Sequence, residues 1–154
     1  MNTTFLSLAS LVLAASATAH GRELHLNECP AAVQSAIEAN ARGGVIDEVD
    51  LISIEGKEIY IAEVDLPRDL DLKVYVSGNG SVLKTLEDVP LASMPAFIRD
   101  AARDHGGTID DVEKEIAGGK VTWHVEIERK GMPDVDLVLN AEGGVISENM
   151  DHDD

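Results

Sequence analysis

Five histidines are the side chains of this sequence best suited to bind a metal, and they stand at positions 20, 25, 105, 124 and 152. None of them has the spacing of a known metal-binding motif. Cleavage of the chain before His20 would create an amino terminus in which the amine and the imidazole chelate copper together. Since His25 or His152 would complete such a site, the candidate metal ligands are His20, His25 and His152.

Catalytic motifs are absent from the sequence. It contains no Gly-x-Ser-x-Gly, His-Glu-x-x-His or Cys-x-x-Cys, and Gly78-Asn79-Gly80 lacks the third glycine and following helix of a dinucleotide site. The sequence has 29 acidic residues, so adjacent pairs such as Asp110-Asp111 are common and do not indicate a catalytic acid. A general acid also needs a buried apolar setting. We therefore predict no catalytic residue, no enzymatic activity and no cofactor.

The charge balance restricts the partners. With 12 Lys and Arg against 29 Asp and Glu, the net charge is −17, which repels nucleic acid phosphates and anionic lipids. Long-range steering favours a basic protein or peptide instead. At 154 residues and 44% hydrophobic content, the chain suffices for one domain or two small ones.

The first 19 residues have the composition of a secretory signal peptide. They carry no charged side chain, residues 5–15 are apolar or small, and Ala17-Thr18-Ala19 forms a small-x-small cleavage site. The apolar stretch is shorter than a membrane span. We expect a secreted or periplasmic protein that is cleaved after Ala19 and then has no contact with the membrane; a buried N-terminal helix is the alternative.

The rest of the sequence aligns with itself at an offset of 63 residues. Residues 43–50 match residues 106–113, and the register continues without a gap to the final glycine-containing turn of each copy. The further matched pairs include Gly56/Gly119, Tyr60/Trp123, Val64/Ile127 and Gly80/Gly143. The sequence therefore predicts a tandem duplication, with one repeat at 24–88 and the other at 89–151.

Within each predicted repeat, the signals for one helix precede the signals for strands. Pro30 and Pro95 mark helix starts, and a Gly-Gly pair ends each helix. The later segments alternate apolar and polar residues between hairpin signals. Positions that are apolar in both copies identify the buried face, and they are Tyr60/Trp123, Ala62/Val125, Val64/Ile127, Leu72/Val135, Val74/Leu137 and Val76/Leu139. The predicted fold class is α+β, with one amphipathic helix packed on a three- or four-stranded antiparallel β-meander in each repeat.

This order of helix at Pro, Gly-Gly-x-Ile-x-x-Val-Asp/Glu, acidic strand and Gly-x-Val hairpin resembles the PepSY-like domains. That group is related in fold to the β-lactamase inhibitor proteins. The resemblance covers the chain from about Pro30 to Glu148. It implies an exported, non-enzymatic binding module that binds or inhibits a protein or peptidase; an exported cation-binding or metal-sensing protein is the alternative.

The outward-facing strand positions supply the candidate binding residues. The first predicted repeat places Ile59, Ile61 and Tyr75 there, and His124 occupies the position in the second repeat that corresponds to Ile61. Apolar residues clustered on the outer face of a sheet usually mean that something covers the face. Either the two halves pack together at this surface or a partner binds there, and the candidate contacts are Ile59, Ile61, Tyr75 and His124.

Cleavage between Ala19 and His20 is testable by the intact mass of the exported protein. We expect a mature chain that begins at His20, because the small residues at 17 and 19 fit the signal peptidase. A mature protein that still begins at Met1 would contradict both the export prediction and the copper prediction.

Overall fold

A computed structural model describes residues 21–151, which form one antiparallel sheet of nine strands in sequence order. Two α-helices and one short 3-10 helix, Leu26–Glu28, complete the structure. The helices are α1 Ala31–Asn40 and α2 Ala96–Asp104. The strands are β1 Arg22–Leu24, β2 Val45–Ile54, β3 Lys57–Leu66, β4 Leu70–Ser77, β5 Val82–Asp88, β6 Thr108–Ala117, β7 Lys120–Glu128, β8 Asp134–Asn140 and β9 Val145–Asp151. The predicted signal peptide lies outside the described residues.

The prediction of two repeats, each with its own three- or four-stranded meander, is wrong. Strand β5 pairs with β6 from Lys84 opposite Ala117 to Asp88 opposite Glu113, so the sheet continues across the predicted boundary between 88 and 89. Separate meanders would leave the N–H and C=O groups at these two edges unpaired, whereas the ladder satisfies them. Alternation of residue types reports which face of a strand is buried, but it does not report which edges join.

Tight turns connect neighbouring strands where the sequence places glycine. Between β2 and β3, Glu55 and Gly56 both have positive φ, 52° and 76°. Gly118 and Gly119 between β6 and β7 have φ of 56° and 77°. Two successive left-handed residues are typical of hairpin turns whose twist matches that of the strands.

Both helices pack on the same face of the sheet, which we call the helix face. Val33 and Ile37 of α1 are buried against Leu72 and its neighbours, and α2 is buried against a second cluster that includes Val112. The strand register shows that the two clusters lie on the same face. Leu72 lies opposite Glu87, and Glu87 lies opposite Lys114. Lys114 and Val112 are two residues apart on β6, so their side chains point to one face. The opposite side of the sheet is the open face.

The predicted core positions lie on the helix face. Tyr60 is buried among the α1 cluster. Trp123 is half-buried, and it contacts Phe97 of α2 edge-to-face at 6.1 Å between ring centroids. Cys29, the single cysteine, is buried in the α1 cluster. Neither α1 nor α2, the α-helices of residues 21–151, has the length and apolar composition that crossing a bilayer requires.

The turn after β4 packs closely against the start of α1. Gly80 has a φ of 86°, and a Cβ atom there would lie 2.7 Å from the backbone oxygen of Ala32. The turn before β9 is similar, since a Cβ at Gly143 would lie 2.9 Å from the Phe97 ring of α2. Each helix is therefore held in place at its first turn by a residue that has no side chain.

Replacing Gly80 with alanine should destabilise the protein by about 2–4 kcal/mol, because it combines positive-φ strain with a steric clash. Gly56→Ala is the matched control, since Gly56 also has positive φ but has nothing within 4 Å of the added Cβ. The control should lose only about 1 kcal/mol. Urea denaturation measures both, and equal losses would show that Gly80 does not support α1.

Candidate partner-binding face

The open face carries a row of side chains that crosses three central strands. Ile61 of β3 lies directly opposite Tyr75 of β4, and Tyr75 lies opposite Lys84 of β5. Ile59 lies beside Ile52 of β2 on the same face. All of these side chains are half-buried. The row places apolar and aromatic surface on the side of the sheet opposite α1 and α2.

The open face is not an interface between the two halves of the chain. Because β5 and β6 pair edge to edge, the halves lie side by side in one sheet and cannot pack face to face. In the part of the chain that the structure describes, both α-helices lie on the other side. Of the two explanations for the outward apolar residues, packing between halves is therefore excluded.

Lys84 and Glu115 form the charged centre of the open face. The Nζ atom of Lys84 lies 2.8 Å from Oε2 of Glu115 across the β5–β6 ladder. The same ammonium lies 4.6 Å from the centre of the Tyr75 ring, a cation–π contact. The apolar row and the charged centre are thus joined through one lysine.

His124 approaches Glu115 from the other side. Its Nε2 atom lies 3.4 Å from Oε2 of Glu115, although it makes no well-aligned hydrogen bond. The nearby imidazole of His124 and the ammonium of Lys84 outweigh burial and lower the pKa of Glu115 to about 2. Glu115 is therefore a fixed negative charge at neutral pH.

Acidic side chains lie directly beside this centre. Carboxylate oxygens of Asp88, Asp111 and Glu113 lie within 4.8 Å of one another. Burial, and next the carboxylate of Asp111, raise the pKa of Glu113. His124 and Lys73 relieve this repulsion only in part, because the pKa of Glu113 stays raised.

A second acidic group lies near the other edge of the sheet. It is centred on Glu48, in the irregular section of β2 where the register shifts. The carboxylate of Glu23 is the main cause that raises the pKa of Glu48, and Asp50 and Glu63 add to it. The apolar row therefore lies between two acidic groups.

The structure brings the predicted binding residues onto one face but not into one cluster. Ile59, Ile61 and Tyr75 are neighbours on β3 and β4. His124 lies on β7, three strands from Tyr75. Contacts through Glu115 and Lys84 connect His124 to Tyr75. Sequence reasoning missed these two linking residues, because only the unpredicted β5–β6 ladder brings them together.

The predicted metal ligands are only partly within the described residues. His20 and His152 lie outside them, so the copper site stays a prediction. His25 precedes the 3-10 helix, where its backbone N–H donates to Oε2 of Glu28 at 2.8 Å. Within residues 21–151, the group of three potential ligands is Asp88, Asp111 and Glu113, which includes no histidine.

Comparisons with known proteins identify the fold. No protein-family model matches the chain, and no curated protein is similar enough to it to count as a relative. Solved structures do match. A DUF2874 family protein from Bacteroides uniformis superposes with a TM-score of 0.63 at 20% identity, over 79% of this chain and 89% of that one.

Two further solved structures agree. A BLIP-like protein from Bacteroides fragilis gives a TM-score of 0.61 at 19% identity, over 82% of this chain and 90% of that one. A proposed periplasmic protein from Bacteroides eggerthii gives 0.64 at 13% identity, over 79% and 88% of the two chains. The chain therefore has the BLIP-like fold, which confirms the predicted relation in fold to β-lactamase inhibitor proteins. Membership of the PepSY-like group stays a prediction.

Glu115 and Glu113 should affect stability in opposite directions, although they lie two residues apart on one face of β6. Since the folded protein lowers the pKa of Glu115 to about 2 from 4.5, its stabilising effect is present above pH 4.5 and is lost as the pH falls towards 2. Glu115→Gln should therefore cost about 1 kcal/mol at pH 7, a value that allows for solvent screening.

Glu113→Gln is the matched variant with the opposite sign. Its pKa is raised from 4.5, so the charged form opposes folding as the pH rises above that value. The melting temperature of Glu113→Gln should exceed that of the wild type at pH 7 and equal it at pH 3. If both variants shift the melting temperature in the same direction at pH 7, the charge arrangement described here is incorrect.

Proposed function

We propose that this protein is an exported, non-enzymatic binding module that holds a basic protein or peptide on its open face. The observation that carries the proposal is the apolar row, which no helix of residues 21–151 covers and which acidic groups border on two sides. Export rests on the signal-peptide pattern of residues 1–19, with cleavage after Ala19.

The apolar row has the composition of an interface centre. Ile61 and Tyr75 lie directly opposite each other, with Ile59 next along β3. Interfaces typically combine a desolvated apolar or aromatic centre with a polar border. Contiguous apolar surface of this kind generally marks an interaction site. Binding at the row would remove its half-exposed side chains from water.

The charges around the row favour a partner with lysine or arginine. The pKa of Glu113 is raised by burial and by the carboxylate of Asp111, and Asp88 adds to the repulsion. A cation placed among these carboxylates would relieve that repulsion. The net charge of −17 would also accelerate the approach of a basic partner at low ionic strength.

The affinity expected of this surface is moderate. Tyr75 is the aromatic residue of the row, whereas strong hot spots are usually built from several tryptophans, tyrosines and arginines. The resemblance to PepSY-like domains and the BLIP-like fold support a binding role. Inhibition of a peptidase is a more specific version of this role. A reversible complex fits this surface better than a very tight inhibitor does.

Ile61→Asp and Tyr75→Ala should each weaken partner binding by at least about tenfold, since they remove the centre of the interface. They should change the unfolding free energy by only about 0.5–1 kcal/mol, because both side chains are half-exposed. The measurement is affinity capture from native periplasm, followed by titration of the captured protein.

Leu91→Asp is the matched control, since Leu91 is exposed in the segment before α2 and outside the open face. It should retain wild-type binding. Unfolding of Ile61→Asp would mean that this chain itself covers the open face. Unchanged binding by Ile61→Asp and Tyr75→Ala would remove the open face from any binding role.

The alternative function is an exported cation-binding or metal-sensing protein. It would use acidic groups and, after cleavage, the amine and imidazole of His20. Calorimetric titration of the mature protein with Ca²⁺, Cu²⁺ and Zn²⁺ separates the two functions. Specific binding of one ion, without capture of a protein partner, would favour the alternative.

A further inference from the structure

We propose that the free edge of β9 accepts a tenth strand, donated by an extended basic segment of another protein. This surface is distinct from the open face, because it uses backbone hydrogen bonds at the side of the sheet rather than side chains on its surface. Such strand addition is a recurring mode of peptide recognition.

The backbone of β9 offers hydrogen-bonding groups on its outer side. Among the strands of residues 21–151, β9 is the last in the sheet and pairs with β8 alone. The N–H of Asn140 donates to the carbonyl of Gly144 at 2.8 Å. Since the backbone groups of every second residue of β8 face the same neighbouring strand, those of Val138 also face β9. Val138 and Ser147 then form a bonded pair, so Glu148 and Met150 direct their N–H and C=O groups away from β8.

Strand β9 has few of the features that normally protect a sheet edge. Its register with β8 shifts between Val138 and Leu139, but residues 147–151 then pair regularly. It has seven residues without proline, lysine or arginine, whereas β1 at the opposite edge has only three residues. Val145, Ile146 and Met150 are 55%, 50% and 54% exposed. Natural edges are usually short or carry lysine, proline or a covering element. A long edge with exposed apolar side chains is therefore suited to pairing.

The side chains beside this edge define the incoming strand. On the helix face, Val145 lies opposite Leu139 and Met150 opposite Val135. Glu148 lies between them on this face, and its carboxylate is directed to Nε2 of His105 at 3.5 Å. An added strand would therefore present apolar residues to Val145 and Met150. On the open face, Asp136 lies opposite Asn149, and the next position on β8 is Asp134. Since side chains alternate along a strand, the partner would alternate apolar and basic residues. A second copy of this chain fits less well, because each copy carries a charge of −17.

The probe is a capped seven-residue peptide, as long as β9, in which lysine and valine alternate. The control peptide replaces the valines with prolines, which preserves the charge but prevents strand pairing. We expect the lysine–valine peptide to slow hydrogen exchange at the amides of Glu148 and Met150 by at least about tenfold. The amide of Asn149, which points towards β8, should change little. Equal binding of both peptides would overturn the proposal.

Two variants at one position separate the backbone from the side chain. Glu148→Pro and Glu148→Ala both remove the carboxylate that lies 3.5 Å from Nε2 of His105, but only proline also removes the outward N–H. Glu148→Pro should weaken peptide binding by at least about tenfold, and Glu148→Ala by less than about twofold, in a calorimetric titration.

Equal losses in the two variants would overturn the proposal, as would full binding by Glu148→Pro. If Glu148→Pro fails to fold by far-UV circular dichroism, hydrogen exchange in the wild-type protein decides the question. Sedimentation equilibrium without peptide tests for self-association. If the wild-type protein is a dimer and Glu148→Pro is a monomer, the edge binds a second copy and the basic-strand proposal is overturned.

Discussion

The hydrogen-bonded ladder between β5 and β6 is the contact on which the rest of the molecule depends. It runs from Lys84 opposite Ala117 to Asp88 opposite Glu113, and it joins a sheet portion packed under α1 to one packed under α2. Without it, two additional edges would expose unpaired backbone groups. With it, the sheet has one continuous open face that spans both portions.

The same ladder creates the electrostatics of the open face. Lys84 and Glu115 meet across it, and His124 reaches Glu115 from β7. Two ladder positions further along, Asp88 lies opposite Glu113. His124 and Lys73 offset the repulsion at Glu113 only in part. Two glutamates on one strand therefore have pKa values shifted in opposite directions. Cross-strand neighbours, His124 and Lys84, lower the pKa of Glu115. Burial and the carboxylate of Asp111, two residues earlier on the same strand, raise the pKa of Glu113.

Much of the local structure was predictable from the sequence, but the assembly of the sheet was not. The helices begin after Pro30 and Pro95 as predicted, because proline fits the start of a helix. The alternating pattern of β4 correctly separates buried Val74 from half-buried Tyr75. A strand's own alternation specifies its two faces and says nothing about its neighbour. For that reason the outward position of Ile61 and Tyr75 was predictable, whereas the meeting of Lys84 and Glu115 was not.

The acidic composition also affects what can pair with the outer strands of the sheet, β1 and β9. A sheet with an edge as long as β9 is at risk of pairing with copies of itself, and apolar side chains such as Ile146 increase that risk. Two copies would each bring a charge of −17, and this repulsion acts over roughly 8–10 Å at physiological ionic strength. It opposes self-pairing without blocking the backbone groups of β9. The charge that opposes pairing between copies of this chain is therefore the same charge that would attract a basic strand to the edge.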